Sequence, residues 1–145
     1  MKVVLQRVRE GSVAVEGEEI AAVSKGLVIL VGIGPEDDQT AAERMAAQIA
    51  ALRIFEDERG KMNLSLLDIR GEALVVPQFT LYADTSRGNR PSFTGAAPPD
   101  QARALVDCFA DALEEEGVTT QQGEFGAHML VSILNDGPVT IQLQG

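Results

Sequence analysis

The chain offers few side chains for proton-transfer chemistry: His128 is its only histidine and Cys108 its only cysteine. A Ser-His-Asp or Cys-His unit would have to use His128 as its base, and that residue lies between Ala127 and Met129 at the entrance to a strand-like run. Cys108 sits at the margin of an apolar helical stripe with no basic partner nearby in sequence, so its expected role is packing. Thr80 is the most suggestive hydroxyl, but a threonine without a base is a poor nucleophile. There is no P-loop, no dinucleotide fingerprint and no metal-ligand spacing, and one cysteine cannot build a disulfide framework. No cofactor and no metal are expected. An enzyme built from these residues must act on a bond that is already labile, supplying position and electrostatics in place of an acid and a base.

Two short segments stand out. One is Pro77-Gln78-Phe79-Thr80-Leu81-Tyr82-Ala83-Asp84, which interrupts a strand; the other is Asn135-Asp136-Gly137-Pro138-Val139-Thr140. The second places a Gly-Pro pair between two apolar strand-like runs, at 129–134 and 139–143. A proline there marks a turn, or an ordered cis peptide that presents backbone carbonyls instead of side chains. Such a device suits discrimination by shape.

Net charge is −10, which by itself argues against a nucleic-acid partner, because phosphate binding relies on lysine and arginine. Distribution softens the objection. Acids gather at Glu16, Glu18 and Glu19, at Glu36-Asp37-Asp38, at Glu56-Asp57-Glu58 and at Glu114-Glu115-Glu116, all readable as solvated turns and helix ends. Basic residues group near the N-terminus (Lys2, Arg7, Arg9) and in the loop carrying Arg87 and Arg90, beside the first segment. A patch of that size can grip the end of an RNA but cannot hold a long duplex tightly.

The elements that must position these residues follow from periodicity. Alternation predicts a first strand from Val3, a hairpin through Glu16-Gly17, and a strongly apolar strand over 26–33. Ala42, Met45, Ala46, Ile49 and Leu52 fall on one helical face, with Thr40 and Glu43 spaced as a capping box. Residues 72–76 predict a buried strand that delivers the chain to Pro77, and residues 82–97 a long loop. A second helix starts at Pro98-Pro99-Asp100 and stops at Gly117, with Ala102, Leu105, Val106, Phe109 and Leu113 as its stripe. Three closing strands, around 119–122, 129–134 and 139–143, have short connections and are expected to be largely antiparallel. With 145 residues, 45% of them hydrophobic, the expectation is a single domain over residues 1–145. Its class is α+β, a mostly antiparallel, barrel-like sheet packed with two main helices. No run approaches the roughly 20 apolar residues of a membrane span, and the start reads as a strand. The expected location is cytoplasmic.

The two segments resemble the signature motifs of the D-aminoacyl-tRNA deacylases, and the resemblance extends along nearly the whole chain. Leu5-Gln6-Arg7-Val8, Gly32-Ile33-Gly34-Pro35-Glu36-Asp37, Leu52-Arg53-Ile54-Phe55-Glu56-Asp57, Lys61-Met62-Asn63-Leu64-Ser65, Asn89-Arg90-Pro91-Ser92-Phe93 and Phe125-Gly126-Ala127-His128-Met129 each match the family in order. The resemblance implies an editing hydrolase that cleaves the ester of D-aminoacyl-tRNA, and of glycyl-tRNA mischarged on an alanine tRNA. An aminoacyl-tRNA ester is labile in the required sense, with a ribose hydroxyl on the adjacent carbon and an ammonium beside the carbonyl. By resemblance, the ribose 2′-hydroxyl of the terminal adenosine assists catalysis. The cis Gly-Pro bond reaches from one subunit of a homodimer into the pocket of the other, where its carbonyls reject L-side chains.

Carried over by position, Gly137 and Pro138 form the chiral screen and Arg7 holds that loop. Gln78, Phe79 and Thr80 line the site of the ester and terminal adenosine, and Phe125 and Met129 border the adenine; Arg87 and Arg90 are expected to contact the tRNA on the separate ground of the basic loop that carries them. One departure stands out: the family usually has serine before Gln-Phe-Thr, whereas this chain has Pro77, which lacks both a hydroxyl and a backbone donor. A sister family of tRNA deacylases that tolerates L-alanine also has proline there, but followed by Gln-Ala-Thr; Phe79 and Arg7 side with the D-specific family. A reading from another class is a non-catalytic dimeric module that holds an RNA end or nucleotide in the same pocket.

Overall fold

The computed structural model describes residues 1–145. A long strand, β1 (Lys2–Val15), is the hub of the sheet. Its first half pairs with β3 (Gly26–Gly32), its second half with β2 (Glu18–Val23), and nearly its whole length with β8 (Leu130–Gln144), all antiparallel. Glu16 and Gly17 both have positive φ (52° and 81°), the geometry of the tight two-residue turn whose twist matches that of the strands it joins. Beyond β3 come β6 (Glu72–Pro77) and β7 (Thr119–Gln122). The Gln121 side-chain oxygen accepts from the Ala22 amide at 2.9 Å, linking β7 back to β2 and nearly closing the barrel.

The strands alternate their side chains between two cores, as the period of two requires. Leu27, Ile29 and Val31 of β3, with Ala73 and Val75 of β6, face α1 (Gln39–Ala50) and α2 (Pro99–Glu115). Val28, Leu74 and Val76 point the other way, into the barrel, against Val8, Val13 and Val23. Both β3 and β6 are therefore apolar on both faces, as strands covered on two sides must be. A two-stranded hairpin, β4 (Phe55–Glu56) with β5 (Met62–Leu64), lies outside this sheet.

The expected α+β class, barrel-like sheet and two helices are all present, with three corrections. The sheet is mixed: β3 with β6 and β6 with β7 pair in parallel. The chain returns from β6 to β7 through α2, a crossover long enough for parallel pairing, so β7 is not antiparallel as expected. The two last predicted strands form the single element β8. Helix α1 is capped by Asp38, whose side chain accepts from the Ala41 amide at 2.9 Å; Asp38 has the extended backbone that a cap needs, and Thr40 already lies in the first turn.

Candidate functional site

The first motif is placed by the end of β6. Pro77 stands opposite Val31, and the Gln78 amide donates to the Val31 carbonyl at 2.8 Å, so the missing donor of Pro77 costs the ladder little. The chain then turns into a short 3-10 helix, Phe79–Tyr82. Gly32 makes this turn possible, since a Cβ there would lie 2.9 Å from the Gln78 carbonyl. The Gln78 side-chain amide donates to the Thr80 hydroxyl. Phe79 is 57% exposed and meets Phe93 edge to face, ring centroids 5.1 Å apart.

These residues form one wall of a cleft of about 620 Å³. The opposite wall is the segment 123–129, which carries Phe125, His128 and Met129. The Gly123 amide donates to the Val75 carbonyl at 2.8 Å and ties that segment to β6. A Cβ on Gly123 would meet the Met129 sulfur at 2.7 Å, so glycine is what lets Met129 close down. Phe93, Pro99 and Ala102 complete the lining. The cleft is thus apolar, with the Gln78 amide and the exposed His128 imidazole as its polar side chains. No three His, Cys, Asp or Glu side chains converge in the chain as metal ligands would. Another hollow, about 470 Å³, lies against Arg9, Ser12, Ser24 and Leu134 and contains none of the first-motif residues.

The second motif forms a separate, rigid feature. Between the pairings Gln6 with Thr140 and Val8 with Asn135, residues 136–139 bulge out of β8 opposite Arg7. Arg7 is only 6% exposed. Its Nε donates to the Asp136 carbonyl and its Nη1 to the Ile54 carbonyl, both at 2.8 Å, while Nη2 stands 3.8 Å from the Glu56 carboxylate. Asn135 closes the bulge from the other side: its Oδ1 accepts from the Val139 amide at 2.8 Å and its Nδ2 donates to the Val139 carbonyl at 3.2 Å. The Gly137-Pro138 bond is cis. Gly137 has φ of 147°, and a Cβ there would lie 2.8 Å from the Val139 nitrogen, so no other residue fits without strain. Both Gly137 and Pro138 are exposed.

In the loop after the first motif, Asp84 and Ser92 exchange backbone hydrogen bonds of 2.8 and 2.9 Å, which gathers the intervening residues into a tip carrying Arg87 and Arg90. The Ser86 amide and hydroxyl hold the Asp84 carboxyl below the usual aspartate range. Tyr82 is pushed up to about 12 by burial, with the nearby Asp37 carboxylate adding to the effect, and the Lys2 ammonium sits 4.6 Å from its ring. Burial, then the acids Glu43, Asp111 and Glu115, push the Cys108 thiol up, in keeping with a packing role.

The structure therefore brings Gln78, Phe79, Phe125 and Met129 into one cleft. It leaves Thr80 at the cleft's margin and Arg7, Gly137, Pro138, Arg87 and Arg90 outside the lining. Sequence reasoning assigned no role to Phe93, Pro99 or Ala102. Phe93 carried a usable signal, as the one phenylalanine in a polar loop; Pro99 and Ala102 read only as helix start and helix stripe.

The profile of the family described as D-Tyr-tRNA(Tyr) deacylase matches residues 4–144. The chain is 57% identical over 143 residues, covering 99% of it and 93% of the relative, to a protein of Thermomicrobium roseum named D-aminoacyl-tRNA deacylase. It is 54% identical over 145 residues, covering 100% and 97%, to one of the same name from Heliobacterium modesticaldum. A solved structure named c-Myc DNA Unwinding Element Binding Protein superposes with a TM-score of 0.93 at 44% identity, covering 100% of this chain and 99% of that one. With the first motif at a cleft, the second clamped by Arg7, and a match that runs through both, the chain belongs to the D-Tyr-tRNA(Tyr) deacylase family.

Proposed function

We propose that this protein hydrolyses the ester that joins a D-amino acid, or glycine, to the terminal adenosine of tRNA. The observation that carries this reading is the full-length family match together with a cleft whose wall is the matched Gln78-Phe79 motif. Water adds to the ester carbonyl, the bond to the ribose 3′-oxygen breaks, and the products are the free amino acid and intact tRNA. The cleft's side chains include no paired acid and base, and the Thr80 hydroxyl is engaged by Gln78. Catalysis then rests on position and on the substrate's own 2′-hydroxyl as the proton-transfer group. Phe125 and Met129 give the adenine an apolar, polarisable wall.

Chirality is read by exclusion. Gly137 and Pro138 present backbone, not side chain, and backbone carbonyls aimed into a pocket clash with an L-side chain while leaving room for D-residues and glycine. These residues are exposed and lie outside their own chain's cleft, so the screen acts in the cleft of a second copy, in a homodimer. In support, β8 pairs with β1 alone, and Leu130, Ile133 and Leu134 leave apolar surface on it. The site of action is the cytoplasm, where tRNA is charged.

The solved relative named for DNA binding favours a second reading, a module that holds a nucleic-acid end without turnover. One assay separates the two: deacylation of matched D-tyrosyl-, L-tyrosyl- and glycyl-tRNA, with a D-tyrosyl-tRNA ending in 2′-deoxyadenosine alongside. D-tyrosyl- and glycyl-tRNA are hydrolysed, L-tyrosyl-tRNA is spared, and the deoxy substrate reacts far more slowly. Thr80→Ala and His128→Ala each lose less than the roughly 100-fold that removing a general base costs. Binding without turnover would favour the second reading, and loss of all turnover in His128→Ala with a fully reactive deoxy substrate would replace the mechanism.

A further inference from the structure

Phe125 stands between two cavities. On one side is the cleft; on the other is a hollow of about 270 Å³ that shares Pro77 and Phe125 with it and is lined also by Arg103, Asp107 and Glu124. Arg103 projects from the second turn of α2, and its guanidinium carbon lies 4.9 Å from the centre of the Phe125 ring. In a chain of net charge −10, a cation beside two carboxylates is expected to pair with one of them. Arg103 pairs with neither. It rests over the aromatic ring at the rim of the cleft, and α2 fixes its stem.

We propose that Arg103 receives the phosphodiester linking the terminal adenosine of tRNA to the preceding nucleotide. The proposal rests on the reading of the cleft as the terminal-adenosine site. A base held against one face of Phe125 sends its strand past the edge of that ring, and the hollow beyond it is where the strand can leave. Arginine suits this position because its planar guanidinium can stack on an aromatic ring and still direct N–H donors toward phosphate oxygens. Single-stranded RNA is commonly held by this combination, a base on an aromatic face and a cation on the adjoining backbone. Asp107 and Glu124 line the same hollow and repel any phosphate that enters it, so the contact is weak and confined to the one linkage the guanidinium reaches, which fits a protein that grips only the end of its RNA. Arg103 is accordingly a positioning residue for the substrate, distinct from Arg87 and Arg90 on their loop.

The test is a double-mutant cycle between protein and RNA. Dissociation constants are measured for an uncharged RNA hairpin with a 3′-CCA overhang and for the same RNA carrying an uncharged methylphosphonate at its last linkage. For the parent protein, neutralising that linkage weakens binding about fivefold, the scale of a solvent-exposed charge contact. Arg103→Met weakens the natural RNA by about the same factor, shows no further loss with the neutral linkage, and lowers the slope of log affinity against log salt by about 0.7. Arg103→Lys, which keeps the charge, retains most of both effects. If neutralising the linkage costs Arg103→Met as much as it costs the parent protein, the contact does not exist. If Arg103→Met weakens both RNAs alike with an unchanged slope, Arg103 acts only by packing on Phe125, and the proposal is overturned. Turnover of D-tyrosyl-tRNA, measured alongside, keeps the two readings apart. Coupling without turnover supports the contact and removes the hydrolase, whereas turnover without coupling removes the contact alone.

Discussion

Replacing Arg7 by methionine removes the clamp on the second motif while keeping much of the side chain's volume. Two hydrogen bonds of 2.8 Å from a charged donor are lost, to the Asp136 and Ile54 carbonyls. Bonds of this kind contribute about 1.5–3 kcal/mol each. The one to Ile54 is fully buried and counts near the middle of that range; the one to Asp136 is partly exposed and counts nearer the bottom. The Glu56 carboxylate is 59% exposed at 3.8 Å and adds little. The sum is about 3–4 kcal/mol, within the 5–15 kcal/mol of a typical domain, so the variant folds. At roughly 2–4 °C per kcal/mol for a chain near this size, Tm falls by about 10 °C, read by far-UV circular dichroism at fixed protein concentration. Arg7→Lys, able to keep one of the two bonds, loses about half as much. In the deacylation assay the freed Asp136-Gly137-Pro138 segment drifts, and the ratio of D- to L-tyrosyl-tRNA rates drops toward the order of 100-fold that a misplacement of about 1 Å costs. A melting temperature within about 2 °C of the parent, with chirality intact, would show that Asn135 and the β1–β8 ladder hold the bulge unaided.

Two further outcomes follow from the packing. Tyr82 is the only tyrosine and the chain has no tryptophan, so its ionisation is readable by ultraviolet absorbance; it titrates near 12 in the folded protein. Because the folded state raises the pKa of this group, the stability it contributes is complete below pH 10 and disappears as pH rises from 10 to about 12; a midpoint near 10 in folded protein refutes the buried placement. Gly26→Ala puts a Cβ 1.8 Å from the Glu72 carbonyl oxygen, a backbone atom that cannot move without opening the β3–β6 ladder. It should cost more than about 4 kcal/mol and give insoluble or loosely packed protein, whereas Gly17→Ala, with open space but φ of 81°, costs only about 1 kcal/mol. Soluble Gly26→Ala with a parental melt would contradict the register.

Much of this was legible in the sequence because the relevant signals are local. Alternation in β1, the apolar run of β3 and the stripes of α1 and α2 all depend on residues within one element. What escaped was set at a distance. Asn135 to Thr140 reads as a turn separating two strands, yet β1 is long enough to pair with both runs and absorbs the motif as a bulge. The direction of β7 depends on where α2 crosses, which no short window records. The cleft shows the same division. Gln78, Phe79, Phe125 and Met129 were found through the resemblance, while Pro99 and Ala102 join them only because α2 begins beside β6. The separation of the Gly137-Pro138 bulge from its own chain's cleft is also a tertiary fact, invisible to spacing.

The long ladder between β1 and β8 also bears on how the protein is made. The Gln6 amide meets the Thr140 hydroxyl across 134 residues of sequence, so the first strand synthesised waits for the last. At about 5–20 residues per second, that wait is roughly 7 to 27 seconds, during which one edge of β1 has no native partner. Contacts so distant in sequence also slow folding itself, into the range of milliseconds to seconds for β-rich domains. An open strand edge is a template for pairing with another chain. The nascent protein therefore depends on the early β1–β2–β3 meander holding together without β8, and substitutions that weaken the meander will lower cellular yield before they alter the finished enzyme.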